Sequence, residues 1–148
     1  MVTIRPATAD DLPVVLTMCW EFLAQTPFGR FVEPTDWSLG RLIGFVLATG
    51  VILLAEDEGE VVGMLAIAAL EHPVDARPFG DEVAWWVDPK HRQGRAGLYL
   101  LRAGEDWARQ EGLTSLKMVA PYGSDIGTFY ERRGYVAVET AYHKTLKE

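Results

Sequence analysis

The chain carries one cysteine and three histidines in 148 residues. Cys19 alone cannot close an intramolecular disulfide, and no Cys/His cluster stands at metal-ligand spacing, so neither a disulfide scaffold nor a metal site is expected. Positive charge is also in short supply: 14 Lys and Arg against 21 Asp and Glu give a formal charge of −7. Sequence-independent binding of nucleic acid needs clustered Lys and Arg against phosphate, so no nucleic-acid partner is expected. No apolar run approaches the ~20 residues that span a bilayer, and Met1-Val2-Thr3-Ile4-Arg5 lacks the basic and apolar regions of a secretory leader. The reading is a cytoplasmic protein with no membrane partner. Low complexity is absent too, since 49% hydrophobic and 24% charged residues describe a packed chain, and the length suits one domain over residues 1–148.

Periodicity predicts an alternation of helices and strands. Val2 to Arg5 read as a short strand ended by Pro6. Thr8 caps a helix whose buried stripe is Leu12, Val15, Leu16, Cys19, Phe22 and Leu23, with Cys19 a core residue rather than a nucleophile. A loop through Thr26, Pro27, Gly29 and Pro34 leads to a second helix from Asp36 to Gly50. Val51 to Ala55 and Val61 to Leu70 form an antiparallel pair around a polar loop, Glu56 to Glu60. Glu71 to Gly80 reads as a long loop in which His72 and Arg77 are candidates for substrate contact, or else plain solvated residues. Asp81 to Val87 is a strand closed by Asp88-Pro89. A helix from about Gly94 to Glu111 follows, then a strand Leu116 to Ala120, a short helix capped by Ser124 and reaching Arg133, and a last extended segment from Tyr135 to Leu146.

The chemistry concentrates in Val87 to Leu101, where a strand runs into a basic, glycine-bearing turn and then a helix. The first amides of a helix lack intrahelical partners and the helix dipole adds positive potential, so this junction suits a diphosphate. Arg92 and Arg95 add full charge, while Gly94 and Gly97 permit close backbone approach.

This segment resembles motif A of the GCN5-related N-acetyltransferases, and Phe129-Tyr130-Glu131-Arg132-Arg133-Gly134-Tyr135 resembles their motif B. The two stand in the family's order and at a typical separation, and the order of elements agrees over nearly the whole chain. Two positions depart from the pattern. Arg95 stands where the family has its penultimate glycine, and Gly123 where it often has an asparagine that bonds pantetheine.

The resemblance implies an α/β (α+β) fold, with a mixed, mostly antiparallel central sheet flanked by about four helices. It implies acetyl-CoA as co-substrate and direct attack by a primary amine of a small molecule or peptide on the thioester. The pyrophosphate then falls to Arg92, Gln93, Gly94, Arg95, Ala96 and Gly97, and the pantetheine arm to Trp86 and Val87. Tyr130 is implied as the acid that protonates the leaving thiolate. Glu82 is the candidate base, with Asp81 or water as alternatives; plain alternation places Glu82, Ala84 and Trp86 on one face and Asp81, Val83, Trp85 and Val87 on the other unless a bulge intervenes. A homodimer paired through C-terminal strands is implied by analogy alone. The acidic surface suits a cationic amine and equally suits simple solubility. A Rossmann-type reading fails because Pro6-Ala7-Thr8, not a glycine fingerprint, follows the first strand. A second class stays open: a coenzyme A-binding regulatory or interaction module without turnover.

Overall fold

The computed structural model describes residues 1–147. Its sheet has the strand order β1 (Val2–Pro6), β2 (Val51–Asp57), β3 (Glu60–Glu71), β4 (Pro78–Val87), β5 (Leu116–Lys117). The first four strands are antiparallel neighbours and β5 lies parallel to β4. Helices α1 (Leu12–Gln25) and α2 (Asp36–Thr49) cover one face; α3 (Ala96–Gln110) covers the other, and α4 (Ile126–Arg132) packs beside β4. The mixed, mostly antiparallel sheet with four helices expected from the sequence is the fold.

Local chemistry explains the element ends. Thr8 and Asp11 form a capping box before α1, and Arg5 clamps Asp11 from β1 at 2.8 and 2.9 Å, which holds the Asp11 carboxyl well below the usual range. Thr35 and Ser38 cap α2 in the same reciprocal way. Glu58 and Gly59 both adopt positive φ, 52° and 82°, so β2 and β3 meet in a two-residue turn of the type that suits strand twist. The hairpin is therefore longer, and its loop shorter, than the expected Glu56 to Glu60.

Apolar side chains divide cleanly between the two faces. Val15, Ile43 and Val46 from α1 and α2 meet Ile52, Leu54 and Met64; Leu100 from α3 meets Leu53, Leu65 and Ile67. Burial of each such side chain contributes about 1.5–3 kcal/mol. Gly104 shows how closely α3 approaches: a Cβ there would stand 2.7 Å from Leu65 Cδ2 and 3.0 Å from Ile67 Cδ1.

Two further expectations need correction. The loop after β3 spans only residues 72–77, because Phe79 and Gly80 pair with Leu70 and Ala69. His72 and Arg77 serve that loop itself: the His72 ring accepts from the Val74 amide and Arg77 bonds Asp75. The segment Tyr135 to Leu146 forms no strand; Val136, Val138, Tyr142 and Leu146 project outward, at least 80% exposed, and no backbone ladder ties them to the sheet.

Candidate active site

β4 and β5 pair only at Gly80 with Leu116 and Asp81 with Lys117. Beyond that point the strands part, and the edge of β4 from Glu82 to Val87 faces a gap. The direction of its backbone groups follows from register. The Asp88 amide donates to the Val62 carbonyl at 2.8 Å, so alternate residues of β4 (Trp86 and Ala84) turn their N–H and C=O groups toward β3. Those of Trp85 and Val87 then point into the gap. Trp86, assigned to the cofactor arm from the sequence, contributes its ring to the α1 side instead, where Nε1 donates to Glu21 at 3.1 Å.

A β-bulge sets the side-chain faces. Ala66 opposes Ala84 and Ile67 opposes Glu82, leaving Val83 as the extra residue. Plain alternation would keep Glu82 with Ala84 and Trp86; the bulge reverses the phase at Val83. Glu82 consequently shares the α3 face with Trp85, whereas Val83, Ala84 and Trp86 pack toward α1 and α2. Asp81, opposite Ala68, lies on the face away from Glu82.

Glu82 and Tyr130 meet on one residue of the diverging segment. Glu82 Oε1 accepts from the Val119 amide at 3.2 Å, and the Tyr130 hydroxyl donates to the Val119 carbonyl at 3.0 Å. Burial pushes the Glu82 carboxyl up to about 7, opposed by the Val119 hydrogen bond and reinforced by the neighbouring Asp81 charge. Burial, then the charge of Glu82, raises the Tyr130 phenol far above its ordinary value, so it holds its proton throughout the neutral range. Tyr130 is braced by the rings of Trp85 at 5.8 Å and Tyr135 at 5.5 Å, and the Tyr135 hydroxyl is anchored on Glu105 of α3. That brace and the Val119 junction are invisible to motif reading, because they depend on where two non-adjacent elements come to rest.

The turn before α3 keeps its amides free. Those of Gln93, Arg95, Ala96, Gly97 and Leu98 have no acceptor among the described residues. Gly94 and Gly97 have no positive φ; a Cβ at Gly94 would meet only the His91 carbonyl at 3.5 Å, so the surface there is open. Gly97 lies over Trp85, whose buried indole Nε1 is also without a partner. The two arginines differ. Arg92 is already engaged: Nε donates to the Val87 carbonyl at 2.8 Å and the guanidinium lies 4.5 Å from the Trp86 ring centroid. Arg95 is exposed and its side chain makes no hydrogen bond or ion pair among the described residues.

A second concavity lies on the opposite face, an apolar cavity of about 310 Å³ between α1, α2 and the sheet, reaching Val83 and Ala84. Its helical residues read from the sequence as core; the apolar Phe28 and Val32 inside a Pro/Gly loop are the sequence signal for an opening there. No group of three metal-type side chains comes together, and no helix is long and apolar enough to cross a membrane, among the described residues.

The mixed sheet parts at its parallel edge, and the gap opens beside the free amides of a helix start. The chain belongs to the acetyltransferase (GNAT) family, whose sequence profile matches residues 7–135. No curated protein matches it by sequence. Solved structures do match in fold. A ribosomal-protein-alanine N-acetyltransferase from Brucella melitensis biovar Abortus 2308 is 20% identical with a TM-score of 0.77, covering 98% of this chain and 99% of that one. An aminoglycoside 6'-N-acetyltransferase from Acinetobacter haemolyticus is 21% identical with a TM-score of 0.74, covering 99% of each chain. A predicted acetyltransferase with acetyl-CoA from Clostridium acetobutylicum is 19% identical with a TM-score of 0.79, covering 99% and 97%.

Proposed function

We propose that the protein transfers the acetyl group of acetyl-CoA to a primary amine of a small molecule or peptide by direct attack. The observation that carries this reading is the pair of open backbone sites, the free amides opening α3 and the gap-facing groups of Trp85 with the Val87 amide on the edge of β4, together with Glu82 and Tyr130 meeting at Val119. A diphosphate suits the first row, where unpaired N–H groups and the helix dipole act together. The peptide-like groups of pantetheine suit the second, because they bond an open strand edge as a β-strand would. Fold neighbours support the reading: they include a ribosomal-protein-alanine N-acetyltransferase, aminoglycoside acetyltransferases and complexes with acetyl-CoA and with a CoA bisubstrate analogue.

In this reading Arg95 and the free amides of Gln93, Ala96 and Gly97 hold the diphosphate, Gly94 leaves the surface of the turn open, and Arg92 fixes the shape of the turn by capping Val87. The thioester supplies the carbonyl that the amine attacks. Glu82, held near neutrality by its burial, accepts the ammonium proton at Oε1 or through water. Tyr130, fully protonated, donates its hydroxyl proton to the departing thiolate. Calorimetry with acetyl-CoA, followed by thiol release on adding a panel of amines, tests the whole: no binding heat refutes the cradle, and binding without release from any amine favours the coenzyme-binding module.

A further inference from the structure

The apolar cavity on the α1/α2 face opens to solvent at its rim and measures about 310 Å³. That is the lower end of the range for small-ligand sites. Its floor is Ile52, Met64 and Ala66 of the sheet, and its rim is Phe28, Val32 and Glu33 in the loop between the helices. The Ser38 hydroxyl, also on the wall, is committed to the α2 cap. Glu33 is the one charged group in the lining, exposed and without an ion pair among the described residues.

The bulge at Val83 connects this cavity with the reaction site. Because Val83 and Ala84 both turn toward α1 and α2, the strand that carries Glu82 on one face forms the cavity wall with the next two residues on the other. An acceptor seated here has its body among hydrocarbon side chains, with Glu33 at the rim as the one carboxylate in the lining. We infer that this chain's acceptors are small monoamines with an apolar body, aliphatic or aryl-alkyl, rather than polycationic or sugar-like amines. The inference deepens the acetyl-transfer reading and rests on it. A polyamine or polyhydroxylated acceptor would strip water from polar groups that find no partner on these walls.

A homologous series tests it: n-alkylamines from ethylamine to hexylamine, with phenethylamine and spermidine alongside. Two readouts are taken, thiol release from acetyl-CoA and calorimetry of each amine with the protein without coenzyme. Each methylene buried in an apolar site changes affinity by roughly fourfold, so kcat/KM and amine affinity both rise about fourfold per carbon until the cavity is full, with spermidine no better than ethylamine. Val32 and Phe28 are each 41% exposed, so a polar replacement at the rim spares the core. Val32→Asp and Phe28→Ser each lower hexylamine affinity at least tenfold and leave acetyl-CoA affinity unchanged. A flat series, or a preference for spermidine, overturns the inference. So does a rate that follows the acyl chain of butyryl- or octanoyl-CoA instead of the amine, which would make the cavity an acyl pocket. If hexylamine binds in a Val32-dependent way yet no amine releases thiol, the cavity assignment stands and the transfer reading falls; if thiol is released but hexylamine gains nothing over ethylamine, the reverse holds.

Discussion

Replacing Glu82 by Gln keeps the shape of the side chain and removes its titration. The carboxyl has an ordinary value of 4.5 and is pushed up to about 7 by burial. As a base it is active only when ionised, so wild-type kcat/KM falls about tenfold per pH unit below 7 and levels off above it. Glu82→Gln removes that limb and lowers the plateau by about 10²- to 10⁴-fold, the usual contribution of a positioned general base. The limb is separable from ionisation of the amine itself, because it stays near pH 7 when acceptors of different basicity are compared. Stability moves in the opposite sense. A carboxyl whose value is higher folded than unfolded binds its proton more tightly in the native state, so native stability declines as pH rises from about 4.5 to 7. The decline is bounded by about 3 kcal/mol, and the Gln variant lacks it. Thiol-release kinetics between pH 5.5 and 9, with urea melts at pH 5 and 8, measure both effects. A Gln variant that keeps wild-type kcat/KM and the same acid limb refutes the assignment of Glu82 as base.

Tyr130→Phe removes the phenol and its bond to Val119; kcat falls by one to two orders of magnitude in thiol release while the melt shifts by only about 1 kcal/mol, and unchanged kcat would exclude the phenol as acid. Arg95→Ala weakens acetyl-CoA binding in calorimetry by roughly tenfold, on the order of one charge-assisted hydrogen bond to phosphate. Arg92→Ala disturbs the turn it holds and so lowers thermal stability as well, a loss that Arg95→Ala does not share. Gly104→Val drives a branched side chain into Leu65 and Ile67 and destabilises the fold by about 1–3 kcal/mol in denaturant titration.

Elements whose ends carry their own chemistry were legible from residues alone. The helices expected to reach Glu111 and Arg133 are each followed by a glycine, Gly112 and Gly134, and both adopt positive φ, 73° and 90°. Gly50 likewise ends α2 where expected, whereas Thr8 precedes a single 3-10 turn, Ala9–Asp11, and α1 opens after it with Asp11 at its N-cap. The turn from Arg92 to Gly97 was legible as a junction but not in its division of labour, since only the fold reveals that Arg92 reaches back to Val87 while Arg95 stays free. Ser124 caps no helix; its hydroxyl donates to the Pro121 carbonyl and α4 opens two residues later. The face of Glu82 was unreadable for a specific reason: one inserted residue in β4 reverses a period-two pattern, and nothing in Asp-Glu-Val-Ala-Trp-Trp marks which residue is extra. The cavity escaped because apolar stripes on α1 and α2 look the same whether they meet the sheet or leave room beside it.

Arg92 has one further consequence. Its guanidinium lies on the Trp86 ring, whose indole nitrogen is tied to Glu21 on α1, while its own Nε holds the last carbonyl of β4. Three elements that would otherwise move independently share a single mechanical joint. A substitution at Arg92 is therefore felt at β4 and at α1 as well as in its own turn.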